Sequence, residues 1–111
     1  MTPTLHECAA VATGFQYSVV DGAVKILRGH EYCDWRPTLC RDHACELALA
    51  IRADVYHYEH AVMTGNEDYS ACSGIDDGIE AAFCSAVFQL AAKIGFDMLL
   101  QRNALLTKPK S

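Results

Sequence analysis

Apolar positions recur along this chain with two different periods, and the switches between them outline its elements. Leu5, Cys8, Ala9 and Ala12 lie on one helical stripe. Thr2 and Pro3 ahead of them suit an N-cap and a first helical position, and Gly14 suits a C-cap, so the pattern predicts a first helix over residues 3–13. The period then falls to two. Val19-Val20 and Ala23-Val24 flank Asp21-Gly22, a dipeptide that favours a type I′ turn, and residues 17–27 read as a β-hairpin. Residues 28–38 carry no sustained period and read as irregular, with Pro37 disfavouring helix just before it.

Thr38 can cap a second helix over residues 39–52, where Cys40, Ala44, Leu47, Ala48 and Ile51 share a face. Residues 54–63 then turn β-like through Val55, Tyr56, Tyr58 and Val62. Thr64-Gly65-Asn66 reads as a turn, and residues 69–72 as a returning strand. A third helix is announced by Asp76, Asp77 and Glu80 at its positive N-terminal end. Ile79, Phe83, Ala86, Val87, Leu90, Ala91 and Ile94 form its stripe, and Lys93 and Gly95 close it. Residues 96–106 make a short final helix on this reading. The expected fold class is α+β: a single domain over residues 1–106, with helices packed on a small antiparallel sheet built from two hairpins, and a flexible tail over 107–111.

Composition fits that picture. With 111 residues, 51% hydrophobic and 21% charged, the chain can bury one modest core and is not of a disordered type. Its uninterrupted apolar runs fall short of a membrane span, and Glu7 with no basic segment before it speaks against a secretory leader. The six cysteines lie mostly in helical stretches, so the expected state is cytoplasmic and reduced, with thiols acting as small hydrophobes.

Charge changes the picture more. The formal net charge is −5, and residues 53–92 contain no Lys or Arg. That stretch holds Asp54, Glu59, Glu67, Asp68, Asp76, Asp77 and Glu80, seven acids against no base, while the remaining seven acids and nine bases leave the rest at +2. Direct nucleic-acid binding is not expected without a basic face. The acids have two readings. Each can be explained singly as a turn residue or a helix-dipole complement. Together they can form a surface that meets Lys and Arg on a partner.

Other clusters were weighed for chemistry. His30, Cys33, Cys40, His43 and Cys45 are of the types zinc prefers, but their spacing matches no standard site; a zinc-stabilised domain using Cys33, Cys40, Cys45 and either histidine is the alternative. A small thiol- or histidine-dependent enzyme would draw on Cys72, Cys84 or His57. Cys72 lies in a Ser-Ala-Cys-Ser-Gly segment ahead of a helix N-terminus, but no partner base is assignable to it. His57 and His60, three apart in a strand, would point to opposite faces. No catalytic residue, metal ligand or cofactor is therefore expected. Met98, Leu99, Leu105 and Leu106 leave monomer and homodimer both open.

The segment Trp35, Pro37, Thr38 opens a helix that runs Ala44-Cys45-Glu46-Leu47-Ala48; a β-segment and the alanine-rich helix around Ala86, Val87, Leu90, Ala91 and Ala92 follow. In this layout, over residues 30–95, the chain resembles small bacteriophage and prophage accessory proteins of the phage ABA sandwich and NinX-like group. It departs from that group in its cysteine and histidine load. The resemblance implies a phage gene product without catalytic residues that binds a host protein, inhibitors of CRISPR–Cas systems being one such class. The leading expectation is a non-catalytic inhibitor of a host nucleic-acid-handling complex, presenting the seven acids to a basic protein surface.

Overall fold

The computed structural model describes residues 4–107. Thr2, Pro3 and the tail from 108 onward lie outside the described residues. Helix α1 (Leu5–Thr13) is capped by Thr4, whose side-chain oxygen accepts from the Glu7 N–H at 3.1 Å. It stops at Gly14, which takes the left-handed conformation at φ 77°. Strands β1 (Tyr17–Val20) and β2 (Ala23–Arg28) form the expected hairpin, with Asp21 and Gly22 both at positive φ.

Residues 28–38 are not irregular. Glu31–Asp34 forms β3, which pairs antiparallel with β2 and completes a three-stranded sheet. Its sequence alternates too little to be read as a strand, and its order comes from the bonds β2 offers. Trp35 then plugs the core at 2% exposure. The chain turns through Arg36, whose carbonyl accepts from the N–H groups of Leu39 and Cys40. Helix α2 (Arg41–Ala50) therefore starts after Cys40 and not after Thr38. Cys40 offers no side-chain cap; the entering loop is held instead by His43, whose Nδ1 accepts from the Arg36 N–H at 2.9 Å.

The segment read as one strand over 54–63 is two. Strand β4 (Asp54–His57) ends in a tight turn, closed by the Tyr58 N–H donating to the Ala61 carbonyl at 2.8 Å, and β5 (Ala61–Gly65) returns. Asn66 then makes the next turn, its Oδ1 accepting from the N–H groups of Asp68 and Tyr69, and β6 (Ser70–Gly74) closes the second sheet. The class is α+β in one domain, but the hairpins do not merge into one sheet as expected. The order is β1-β2-β3 in one sheet and β4-β5-β6 in the other. Val24 and Ile26 of β2 and Ala71 of β6 reach a common core that α1, α2 and the last helix fill between them.

That last helix, α3 (Ile79–Thr107), is one element of 29 residues. It runs straight through Gly95, where the sequence reading closed it. The reason is tertiary. A Cβ built on Gly95 would collide with the backbone carbonyl of Cys8, so α1 and α3 approach to near backbone contact there. Small residues line that contact: Ala9 and Ala10 on α1 and Ala91 on α3 are fully buried. The helix also packs on α2, β5 and β6. Within Ile79–Arg102 an 18-residue window has a mean hydropathy of 1.5, so the helix is long and apolar enough to cross a membrane by length and composition, and 44% of that window is buried inside the fold. Uninterrupted apolar runs do not show this length, because Gln89 and Lys93 break them while the helix continues.

Two predictions follow from the packing. Gly→Ala inside an ordinary helix stabilises by about 1 kcal/mol; Gly95→Ala is expected to do the opposite and destabilise by about 1–3 kcal/mol or more, because Cys8 is backbone and cannot swing aside. Urea unfolding midpoints read the sign directly. Arg28 and Glu46, joined by two 2.7 Å hydrogen bonds, tie β2 to α2. The Arg28 hydrogen bonds hold the Glu46 carboxyl below its usual value of 4.5, against an opposing push from burial. Its contribution is therefore present above about pH 4.5 and is lost as pH falls through the lowered value. Glu46→Gln is expected to flatten the acid limb of a stability-versus-pH curve.

Candidate functional site

The second sheet has two unlike faces. On the inner one, Val62 and Thr64 of β5 are buried against α3, and the Thr64 hydroxyl donates to the Ala86 carbonyl at 3.1 Å. Strand alternation then sends Tyr56, Met63 and Cys72 to the outer face, where the register sets them side by side. Gly65 and Ser70 on one side of this strip, and Ala61 and Gly74 on the other, are small. Tyr56 is 51% exposed and Tyr58, at the turn, 58%. The result is an aromatic and thioether strip with nothing packed on it among the described residues.

The seven acids surround this sheet, all of them exposed. They do not form one continuous patch. Asp54, Glu67 and Asp68 share one cleft at the end where β4 begins and β5 turns into β6. Glu59 lies in the β4–β5 turn at the other end. There the His60 carbonyl accepts from the Ile75 N–H, which brings Asp76 and Asp77 alongside. Glu80 opens α3 and faces Arg41 and His57 across a cleft. The two ends of β5 are separated by roughly 14 Å, four residues at about 3.4 Å each. That exceeds the Debye length of about 8 Å at physiological salt, so the two groups act as separate charges on a partner.

Among the described residues, none of the seven pairs with a Lys or Arg. Glu59 has only the exposed His60, at 3.8 Å. Of the seven acids elsewhere in the chain, two are ion-paired among the described residues: Asp34 with Lys25 and Arg36, and Glu46 with Arg28. The carboxylates around the second sheet are thus free of ion pairs with Lys or Arg, with Arg52 and Arg41 as the bases lining their clefts.

Strand β6 is fastened to α3 at two points. Lys93 Nζ donates to the Ser70 carbonyl at 2.8 Å, and the Tyr69 hydroxyl donates to the Asp97 carboxylate. Asp97 pushes the Tyr69 hydroxyl up, with burial and Asp68 adding to it.

The chemistry candidates are scattered by the same fold. Cys84 is buried, and burial followed by Glu80 pushes its thiol up, away from the thiolate a nucleophile needs. Cys72 lies mid-strand on the outer face and not at a helix N-terminus, which comes later at Ile79. His57 ends β4, and no side chain hydrogen-bonds to it among the described residues. His60 sits in the turn after it, so the two-face strand argument does not apply to that pair. For zinc, His43 is engaged with the Arg36 N–H and the Cys33 thiol faces the Glu31 carbonyl. Cys40 ends a loop, and Cys45 is exposed on α2. No three His, Cys, Asp or Glu side chains converge on a metal position among the described residues.

Two surface features complete the picture, the first read from the sequence in part, as the stripe on Met98, Leu99, Leu105 and Leu106, and the second not read at all. The exposed apolar face of α3 centres on Phe96 and Leu100, with Met98 at 39% exposure; Leu99 is half-buried, and the side chains of Leu105 and Leu106 lie outside the described residues. With Leu5 and Phe88, Phe96 bounds an apolar cleft of about 420 Å³. The second is a trough between α2 and β4, floored by Phe83. The trough is not visible without knowing that β4 ends at His57.

The Tyr69–Asp97 bond has an alkaline signature. A raised hydroxyl contributes stability below the ordinary tyrosine value of 10.0 and loses it as pH rises through the raised value. Tyr69→Phe is expected to remove that alkaline loss and lower the protection of β6 amides in hydrogen exchange, leaving β1–β3 unchanged. No family model, no curated protein and no solved structure matches this chain.

Proposed function

We propose that this chain is a non-catalytic binding protein that uses the second sheet to hold a basic protein surface. The observation that carries the reading is the outward Tyr56–Met63–Cys72 strip with unpaired carboxylates flanking it at both ends of the strands. Aromatic and thioether side chains supply contact area, and a flat face of small residues lets a partner approach closely. The carboxylates steer and orient a cationic partner before contact. The buried, upward-shifted thiol of Cys84 supports the non-catalytic part. The resemblance carried by Trp35, Pro37, Thr38 and the alanine-rich α3 supports a partner within a host nucleic-acid-handling complex, including an anti-phage defence complex, with action in the host cytoplasm. Such complexes expose basic grooves, and an acidic protein can occupy them in place of nucleic acid.

The test uses two triple reversals, Asp54→Lys/Glu67→Lys/Asp68→Lys and Glu59→Lys/Asp76→Lys/Asp77→Lys, in capture from a host lysate. Host proteins retained by the native chain are expected to fall about tenfold or more with either triple, and to fall as salt rises from about 0.05 to 0.3 M. The same proteins retained equally by both triples, with no salt dependence, would overturn the reading.

A further inference from the structure

Helix α2 packs on α3 and leaves a gap toward β4. Two clefts of about 480 and 510 Å³ occupy this gap and meet at Phe83. One lies between Ala48 and Leu49 of α2 and Val55 of β4, the other between Arg41 of α2 and His57 of β4. Together they form a trough beside β4, one part against Val55 and the other against His57.

The hydrogen-bond phase of the hairpin decides what the trough presents. The Tyr58 N–H donates to the Ala61 carbonyl, so residues 58 and 61 are a bonded pair. Bonded and non-bonded pairs alternate along an antiparallel ladder. His57 opposite Val62, and Val55 opposite Thr64, are then the non-bonded pairs. The N–H and C=O of Val55 and His57 point away from β5, and β4 is the edge of its sheet. Among the described residues these groups have no backbone partner in turns or loops. An edge with donors and acceptors two residues apart specifies an extended backbone as its complement.

Side chains around the trough add to this. Leu49 of α2 is 80% exposed and Ile79 at the start of α3 59%, so the trough is bordered by apolar surface on both helices. Beyond its Asp54 end, Asp54, Glu67 and Asp68 stand against the single guanidinium of Arg52. That end is net negative and favours a cation.

The geometry points to a strand-addition site: the trough between β4 and α2 takes an extended segment of a partner protein, with apolar residues at alternate positions and a lysine or arginine at the end lying over Asp54. The segment becomes a fourth strand of the second sheet, bonded to Val55 and His57, with alternate side chains against Phe83 and Leu49. The trough shares Asp54 and Asp68 with the outer-face surface, but its backbone groups on Val55 and His57 are its own, and the proline variants test it apart from that face.

A probe can be made directly: fluorescein-labelled, blocked peptides of about eight residues, alternating valine and threonine, with lysine at the first or the last position. Fluorescence anisotropy is expected to show saturable binding, one lysine position binding several-fold tighter than the other. Val55→Pro and His57→Pro each delete an outward N–H while leaving the β4–β5 bonds intact, as an edge strand tolerates. Either is expected to weaken binding about tenfold, whereas Val55→Ala and His57→Ala, which keep the N–H, leave it within about twofold. Asp54→Lys/Asp68→Lys is expected to erase the preference between the peptides. Circular dichroism confirms folding of each proline variant, and the two variants guard against failure of one. No saturable binding, or binding indifferent to proline at both positions, overturns the proposal. So does a concentration-dependent dimer in sedimentation that Val55→Pro abolishes, since the occupant would then be a second copy of this chain.

Discussion

The rest of the molecule depends on the contact between α1 and α3 at Gly95. A glycine in a helix interior costs about 1 kcal/mol against alanine, and here it stands where the Cys8 carbonyl occupies the space of a side chain. The closeness lets Ala9, Ala10 and Ala91 bury completely with little volume between them. Without it, α1 would ride higher on α3, and the large residues that now fill the core from the two sheets would face a gap. Dense packing makes such a shift costly everywhere at once.

Because α1, α2 and α3 fill the centre, the hairpins stay apart. The first sheet lies with α1 and α2, bound to α2 through the paired Arg28 and Glu46. The second packs its inner face on α3, fastened by Thr64, Tyr69 and Lys93. A single merged sheet would have hidden one face of each hairpin edge. Two small sheets leave more edge and more face free, and in the second sheet the free face and the free edge border different surfaces. The outer face carries the tyrosine–methionine strip, and the β4 edge borders the trough against α2. Unpaired carboxylates sit at the ends of both. A protein of this size thereby leaves one sheet face and one strand edge uncovered on three strands without giving up its core.

Much of this was legible in the residues. The Asp21-Gly22 hairpin, the Gly14 stop of α1, the stripe of α3 and the α+β class follow from local rules, since each depends on neighbours in sequence. The errors share a cause: they sit where a distant element overrides a local signal. Strand β3 exists because β2 bonds to it. Helix α3 continues because Gly95 faces α1 and not solvent. Helix α2 starts late because Arg36 holds the loop and His43 anchors it. The acids were correctly found as a charge imbalance, but their division between two ends of the sheet required the break at Tyr58, Glu59 and His60, where polar and aromatic residues mask a turn. The trough was invisible for the same reason, because an edge strand is defined by what does not pair with it.

The central claim is that the second sheet, with its unpaired acids, is the working surface. Amide hydrogen exchange on the native chain, free and with its captured partner, tests this most directly. The account predicts new protection in the turns that carry Glu59 and Glu67 and in the segment that carries Asp76, with α1 and β1–β3 unchanged. Protection confined to α1 and the exposed Phe96–Leu100 face of α3, with the second sheet exchanging as in the free chain, would contradict it.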